Sequence, residues 1–99
     1  MGSMGMYKNG TYIGSVADAY YGNVQVQVTV QSGKVSDVKF LQHPGGRSYS
    51  IFVNSQAMPY LIQEAVQAQN SNVDIVSGAT ETSLAFQQSL ASALAQAKS

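Results

Sequence analysis

The chain has no cysteine, no tryptophan and a single histidine. Without cysteine it has no disulfide, no thiolate metal ligand, no iron–sulfur cluster and no thiol nucleophile. The one histidine, His43, does not build a zinc site alone. The composition therefore predicts no metal site and no thiol nucleophile.

Charge is also scarce, because only 10% of the 99 residues are charged and five basic side chains balance five acidic ones. The basic residues do not cluster, so neither nucleic acid nor an anionic membrane is an expected partner. No apolar run approaches the roughly 20 residues of a membrane helix, so direct membrane insertion of this segment is not expected. Low charge favours an exported or wall-associated protein over a cytosolic one. The start, MGSMG, reads like an expression scar, and we expect residues 1–9 to be a scar or flexible N-terminus and residues 10–99 to be one domain.

The first half of the chain has the pattern of a β-sheet. Residues 23–31 alternate valine with glutamine, asparagine or threonine, which predicts a strand with one buried and one wetter face. Ser32-Gly33 predicts a hairpin turn, followed by a partner strand from Lys34 to Leu41. A first strand is predicted from Gly10 to Tyr20, which completes a three-stranded meander.

The second half has helical periodicity on both sides of one short β-like segment. Apolar residues recur at helical spacing from Asn54 or Ser55 to Gln69, and again from Thr80 to Ala97. The β-branched residues 73–76 between them predict a short fourth strand. The predicted core stripe of the second helix comprises Phe86, Leu90, Ala93, Leu94 and Ala97. This order predicts an α+β two-layer sandwich, in which two helices cover one face of a largely antiparallel sheet.

The connection before the second helix, DIVSGATETS at residues 74–83, concentrates small and hydroxyl-bearing residues. In one interpretation it is only a helix cap: Ser77 or Thr80 caps the helix, Gly78 makes the turn, and Thr82 and Ser83 satisfy first-turn N–H groups. In the other, the free N–H groups and the positive end of the helix dipole attract a phosphate, beside a threonine hydroxyl that can be esterified. The residues by themselves leave both interpretations open.

The residues Asp74-x-x-Ser77-Gly78-Ala79-Thr80 resemble the flavinylation motif of FMN-binding domains. These are small modules related to the flavin-carrying subunits of sodium-pumping NADH:quinone oxidoreductase and the Rnf complex. In that family the last threonine of the motif receives FMN through a phosphoester bond, transferred from FAD by a magnesium-dependent flavin transferase. The resemblance implies that Thr80 is the acceptor, that Ser77, Gly78 and Ala79 are small so that the backbone can be approached, and that Asp74 serves recognition by the transferase or orients the loop.

The resemblance extends over roughly residues 10–97, including the TYIG segment at residues 11–14 and the NSQA segment at residues 54–57. It implies an electron-transfer flavoprotein domain, rather than a stand-alone catalyst, that works outside the cytoplasm with a redox donor and a redox acceptor protein. In the loop after the last meander strand, His43 and Arg47 are candidate flavin contacts or ordinary surface residues. Two other hypotheses are a module that binds FMN or a nucleotide without a covalent bond, and a structural surface domain without flavin.

Overall fold

A computed structural model describes residues 7–19, 22–43, 56–76 and 79–98. Its central strand pairs antiparallel with every other strand of one four-stranded sheet. In the described ranges no helix has the length and apolar character needed to cross a membrane. The predicted α+β class, with helices packed on an antiparallel sheet, is confirmed. The elements are β1 (Gly10–Ile13), β2 (Ala17–Asp18), β3 (Asn23–Gln31), β4 (Lys34–Gln42), α1 (Met58–Ala68) and α2 (Thr80–Ala97).

The core lies between the valine face of β3 and the two helices. The four alternating valines of β3 are at most 2% exposed, and the predicted stripe of α2 is buried throughout. Phe86 of α2 stacks on Phe40 of β4, with ring centroids 5.2 Å apart and an angle of 27° between the ring planes. The period-two and helical patterns therefore identify the two layers of the core correctly.

The described part of the predicted first strand, residues 10–19, contains two short strands separated by a bulge. Gly10 pairs with Val30, whereas Ala17 pairs with Val24, so the register shifts by one residue between β1 and β2. At the break, Gly14 still donates its N–H to the carbonyl of Val26 at 2.9 Å. The break allows the first strand to follow β3 along its whole length while its backbone approaches α2.

The hairpin between β3 and β4 matches the prediction and explains an irregular pattern. Ser32 and Gly33 both have positive φ, 55° and 77°, as a tight hairpin turn of this hand requires. Val30 pairs with Val35 but Thr29 pairs with Asp37, so one residue of β4 is extra in the ladder. This bulge allows Val35 and Val38, which are three positions apart, to face the same core.

The predicted fourth strand at residues 73–76 is wrong. The described residues 72–76 form no strand, and side chains of α2 bind two of their backbone groups. Gln87 donates its side-chain amide to the carbonyl of Val73 at 2.6 Å, and the Ser83 hydroxyl accepts the N–H of Val76 at 3.0 Å. The fourth strand of the sheet is β2, which the sequence prediction had merged with β1.

Residues ahead of the predicted domain boundary contact the domain. Tyr7 is buried, and its hydroxyl donates to the backbone carbonyl of Gln69 at 2.8 Å. Burial raises the pKa of Tyr7 above its usual value. The Asn9 side chain accepts the N–H of Gly33 at 2.9 Å. The boundary at residue 10 stays a prediction, but the packed part of the chain includes Tyr7.

Gln69 fastens the end of α1 to the edge of β4. It lies directly after α1 with φ of 60°, the left-handed conformation common after a helix. Its side-chain oxygen accepts the N–H of Val35 at 2.8 Å, and its side-chain nitrogen donates to the carbonyl of Val35 at 2.9 Å. The amide side chain thus binds both backbone groups of Val35, as a neighbouring strand would.

Replacing Gln69 by alanine is expected to lower the free energy of unfolding by about 2 kcal/mol, because two hydrogen bonds to a half-buried backbone are lost. Urea unfolding measures the change. The matched control is Gln67→Ala, an exposed position on the same helix, for which we expect a change within about 0.5 kcal/mol. Equal unfolding midpoints for the two variants would contradict the fastening role.

Candidate functional site

The site predicted from the sequence lies at one end of the sandwich. Ser89, in the middle of α2, accepts the N–H of Val26 at 3.0 Å, and Ala97 at the end of α2 accepts the N–H of Lys8 at 2.6 Å. Lys8 precedes β1, whose first residue pairs with the last part of β3. Hence α2 runs parallel to β3, and its first residue, Thr80, lies at the end of the sheet where β3 begins and β4 finishes.

The start of α1 meets the same end. Ala57, directly ahead of α1, is fully buried together with Ala79, and Met58 and Val76 pack against this pair. We call the region formed by the first residues of β3, the last residues of β4 and the beginnings of α1 and α2 the motif end. The 72–76 segment leads into it from the far end of α1.

Thr80 is exposed and is the first residue of α2. The residue that caps the helix is Ala79, with φ of −138° and ψ of 43°, and it makes no side-chain capping hydrogen bond. The helical hydrogen bonds begin with the N–H of Ser83 donating to the carbonyl of Ala79 at 2.9 Å. Of the two caps that the capping interpretation named, Thr80 is therefore not the cap, and Ser77 lies outside the described residues. An exposed threonine at such a helix start fits a phosphate ester.

The two hydroxyl residues that follow Thr80 face inward. Thr82 and Ser83 are both fully buried. The Ser83 hydroxyl donates to the carbonyl of Ala79 at 2.8 Å and accepts the N–H of Val76. Ser83 therefore does not satisfy a first-turn N–H group, as the capping interpretation proposed; it fixes the chain on both sides of residues 77–78 to the first turn of α2.

Acidic groups accompany the exposed hydroxyl. Glu81 lies in the first turn of α2, where a negative charge interacts favourably with the helix dipole. Asp74 is exposed in the segment beside α2. The pKa of Tyr60 in α1 is raised above its usual value, first by the charge of Glu64 and also by desolvation and by the charge of Asp74. Asp74 is therefore close enough to the first turn of α1 for its charge to act there.

The other predicted site residues divide into described and undescribed positions. His43 is exposed directly after β4 and so lies at the motif end. Arg47, Ser77 and Gly78 are outside the described residues, and their predicted roles stay predictions. Of the predicted set, the structure brings Asp74, Ala79, Thr80 and His43 to the same end of the molecule.

Sequence reasoning missed two apolar residues at this end, Leu84 and Ile75, which are 46% and 42% exposed. Leu84 lies four residues after Thr80 on α2 and outside the core stripe of that helix. Helical periodicity could have found it, because residues four apart share a face. Ile75 was assigned to a strand that does not exist, so its exposure was not predictable in that way.

Comparison with known proteins gives one family and one fold. The FMN-binding domain family matches residues 19–95, and no curated protein matches. The fold is similar to the crystal structure of the CPE2226 protein from Clostridium perfringens, with a TM-score of 0.75 and 21% identity over 93% of this chain and 89% of that chain. At this identity the likeness shows the fold alone. Because the family match covers most of the chain, the protein belongs to the FMN-binding domain family.

Proposed function

We propose that the chain carries FMN through a phosphoester bond to Thr80 and passes electrons between a donor protein and an acceptor protein. Family membership supports FMN as the cofactor. The observation that supports the covalent bond is the exposed position of Thr80 as the first residue of α2, where the cap residue Ala79 makes no side-chain hydrogen bond. Non-covalent binding of FMN at the same helix start is the alternative that the experiment below separates.

The attachment step is a phosphoryl transfer from FAD, carried out by a flavin transferase. The Thr80 oxygen forms a bond to the phosphorus of the FMN half, the pyrophosphate bond of FAD breaks, AMP leaves, and the hydroxyl proton passes to a base of the transferase. The product is a phosphodiester with one negative charge. The N–H groups and dipole of the first turn of α2 stabilise that charge.

Ala79 and Asp74 have different parts in this proposal. Ala79 is buried against Ala57 at the start of α1, so a larger side chain there would push α1 away from the beginning of α2. Asp74 is exposed, and we infer that the transferase recognises it together with Ser77 and Gly78. The chain thereby presents Thr80 to the transferase at the start of a packed helix.

Bound FMN would supply the redox chemistry, and the protein would supply attachment, orientation and exclusion of water on one side. A covalent bond is most useful outside the cytoplasm, because a cofactor lost there is not replaced. We therefore propose an extracytoplasmic setting for the domain. His43 and Arg47 are the further candidate contacts of the flavin.

Intact mass spectrometry after coexpression with a flavin transferase, in cells that supply FAD and magnesium, tests the proposal. We expect a single flavin-sized mass increase that survives denaturation and is absent without the transferase. Yellow protein that loses all its flavin on denaturation would support the non-covalent alternative. If the protein coexpressed with the transferase carries no flavin, either before or after denaturation, the proposed function is contradicted.

A further inference from the structure

Exposed apolar side chains gather at the motif end. Single exposed apolar residues are ordinary on protein surfaces, but a shared location indicates a surface that something covers. Of the six large apolar side chains that are exposed in the described part of the chain, five lie in or next to segments that meet at the motif end. These five are Val16, Leu41, Tyr60, Ile75 and Leu84.

Two of these residues are linked to the helix of Thr80: Leu84 lies on α2 itself, and Ile75 lies in the segment that α2 binds. Leu84 follows Thr80 by one helical turn, which places their Cβ atoms about 5–6 Å apart on the same face. Ile75 belongs to the 72–76 segment, which α2 binds through Ser83 and Gln87. Ser83 and Gln87 form the neighbouring row on one side of the line from Thr80 to Leu84 on the helix surface. The segment that they bind, with Ile75 in it, therefore runs beside that line. We call Thr80, Leu84 and Ile75 the Thr80 strip.

We propose that Leu84 and Ile75 form the apolar surface on which the flavin ring rests when FMN is attached at Thr80; this inference rests on the proposed function. The ribityl chain separates the ring from the phosphate, so a ring held at Thr80 reaches a side chain one turn further along α2. The ring is broad and largely apolar at its dimethylbenzene end. Contact with two exposed aliphatic side chains removes apolar area on both partners from water, which is favourable.

The polar neighbours of the strip favour this choice of surface. Glu81 and Asp74 are carboxylates, which accept hydrogen bonds but offer no apolar area to the dimethylbenzene end of the ring. The core side of α2 is closed, because Phe86 and Leu90 are fully buried. The exposed aliphatic side chains are the described groups near Thr80 that gain by being covered.

The test uses protein whose flavin is shown by intact mass to be covalently bound. Leu84→Gln and Ile75→Gln are compared with wild type by iodide quenching of flavin fluorescence and by fluorescence anisotropy. We expect each variant to raise the quenching constant by about threefold, as the loss of one aliphatic contact shifts the ring toward solvent, and to lower the anisotropy. The control is Ile13→Gln: Ile13 is 48% exposed, and its backbone carbonyl accepts the side-chain amide of Gln96, about 24 Å along α2 from Thr80.

The outcomes separate this inference from the function on which it rests. Quenching and anisotropy equal to wild type in flavin-loaded Leu84→Gln and Ile75→Gln would overturn the ring surface and leave the covalent bond intact. Lower loading of these variants with unchanged quenching would assign the strip to docking of the transferase, and would also overturn it. Wild-type protein that takes up no flavin beside an active transferase would overturn both proposals.

Discussion

Thr80→Val is expected to abolish the flavin-sized mass increase completely while the domain stays folded. Valine has nearly the shape of threonine but no oxygen, so no phosphoester forms. Thr80 is exposed, and the residue that caps α2 is Ala79, so the Thr80 side chain has no capping role. We therefore expect the free energy of unfolding to change by less than about 0.5 kcal/mol. Intact mass spectrometry after coexpression and urea unfolding of the unmodified protein measure the two quantities.

Thr82→Val is the matched control, because it removes a second hydroxyl from the same turn of α2. Thr82 is fully buried, so a transferase cannot reach it without unfolding the helix start. We expect this variant to lose some stability and to keep the flavin. Flavin that persists in Thr80→Val, or that disappears only in Thr82→Val, would assign the bond to another residue.

The layers of the fold were predictable because their sequence patterns report burial directly. The valines of β3 recur every second residue, and the buried residues of α2 recur at helical spacing. Residues 73–76 have the same β-branched composition as a strand, yet they form none. A strand requires a free edge of the sheet, and here Gln87 and Ser83 bind the carbonyl of Val73 and the N–H of Val76 instead. Local sequence does not reveal which group will bind a backbone atom, so this segment was predicted wrongly.

The motif singles out Thr80 as the proposed attachment residue, but the sequence does not show how its neighbours are placed. The sequence shows several hydroxyls between residues 77 and 83 without showing which of them face outward. In the structure Thr82 and Ser83 lie on the side of α2 that also carries Phe86 and Leu90, and all are buried. Because that side of α2 faces the core, Thr80 lies on the exposed side of the helix. The capping interpretation assigned the Ser83 hydroxyl to a first-turn N–H group. In the structure this hydroxyl accepts the N–H of Val76 and donates to the carbonyl of Ala79, and both residues precede α2.

The close contact between the bulge and α2 was also beyond the sequence. Glycine at position 14 reads as a weak strand residue or a bulge. In the structure its backbone lies directly against Ser89 of α2, whose hydroxyl accepts the N–H of Val26. The sequence shows that Ser89 is a polar residue in a helix, but it does not show that Gly14 lies against it.

Gly14→Ala is accordingly expected to destabilise the fold strongly, by about 3 kcal/mol. A Cβ atom at this position would lie 2.0 Å from the carbonyl oxygen of Ser89 and 2.7 Å from its hydroxyl oxygen. The obstacle includes the backbone of α2, which moves only if the helix leaves the sheet. A loss of this size is a large part of the 5–15 kcal/mol that stabilises a typical domain. Urea or thermal unfolding of the unmodified protein measures the loss.

Two further variants identify the cause of that loss. Ser15→Ala changes the adjacent exposed residue, whose backbone N–H alone binds Ser92, and we expect a change within about 0.5 kcal/mol. Adding Ser89→Ala to Gly14→Ala removes the hydroxyl but not the carbonyl oxygen, and it leaves the buried N–H of Val26 without its acceptor. The double variant should therefore be no more stable than Gly14→Ala. Recovery of stability in the double variant would show that the hydroxyl, and not the close approach of the two backbones, makes glycine necessary at this position.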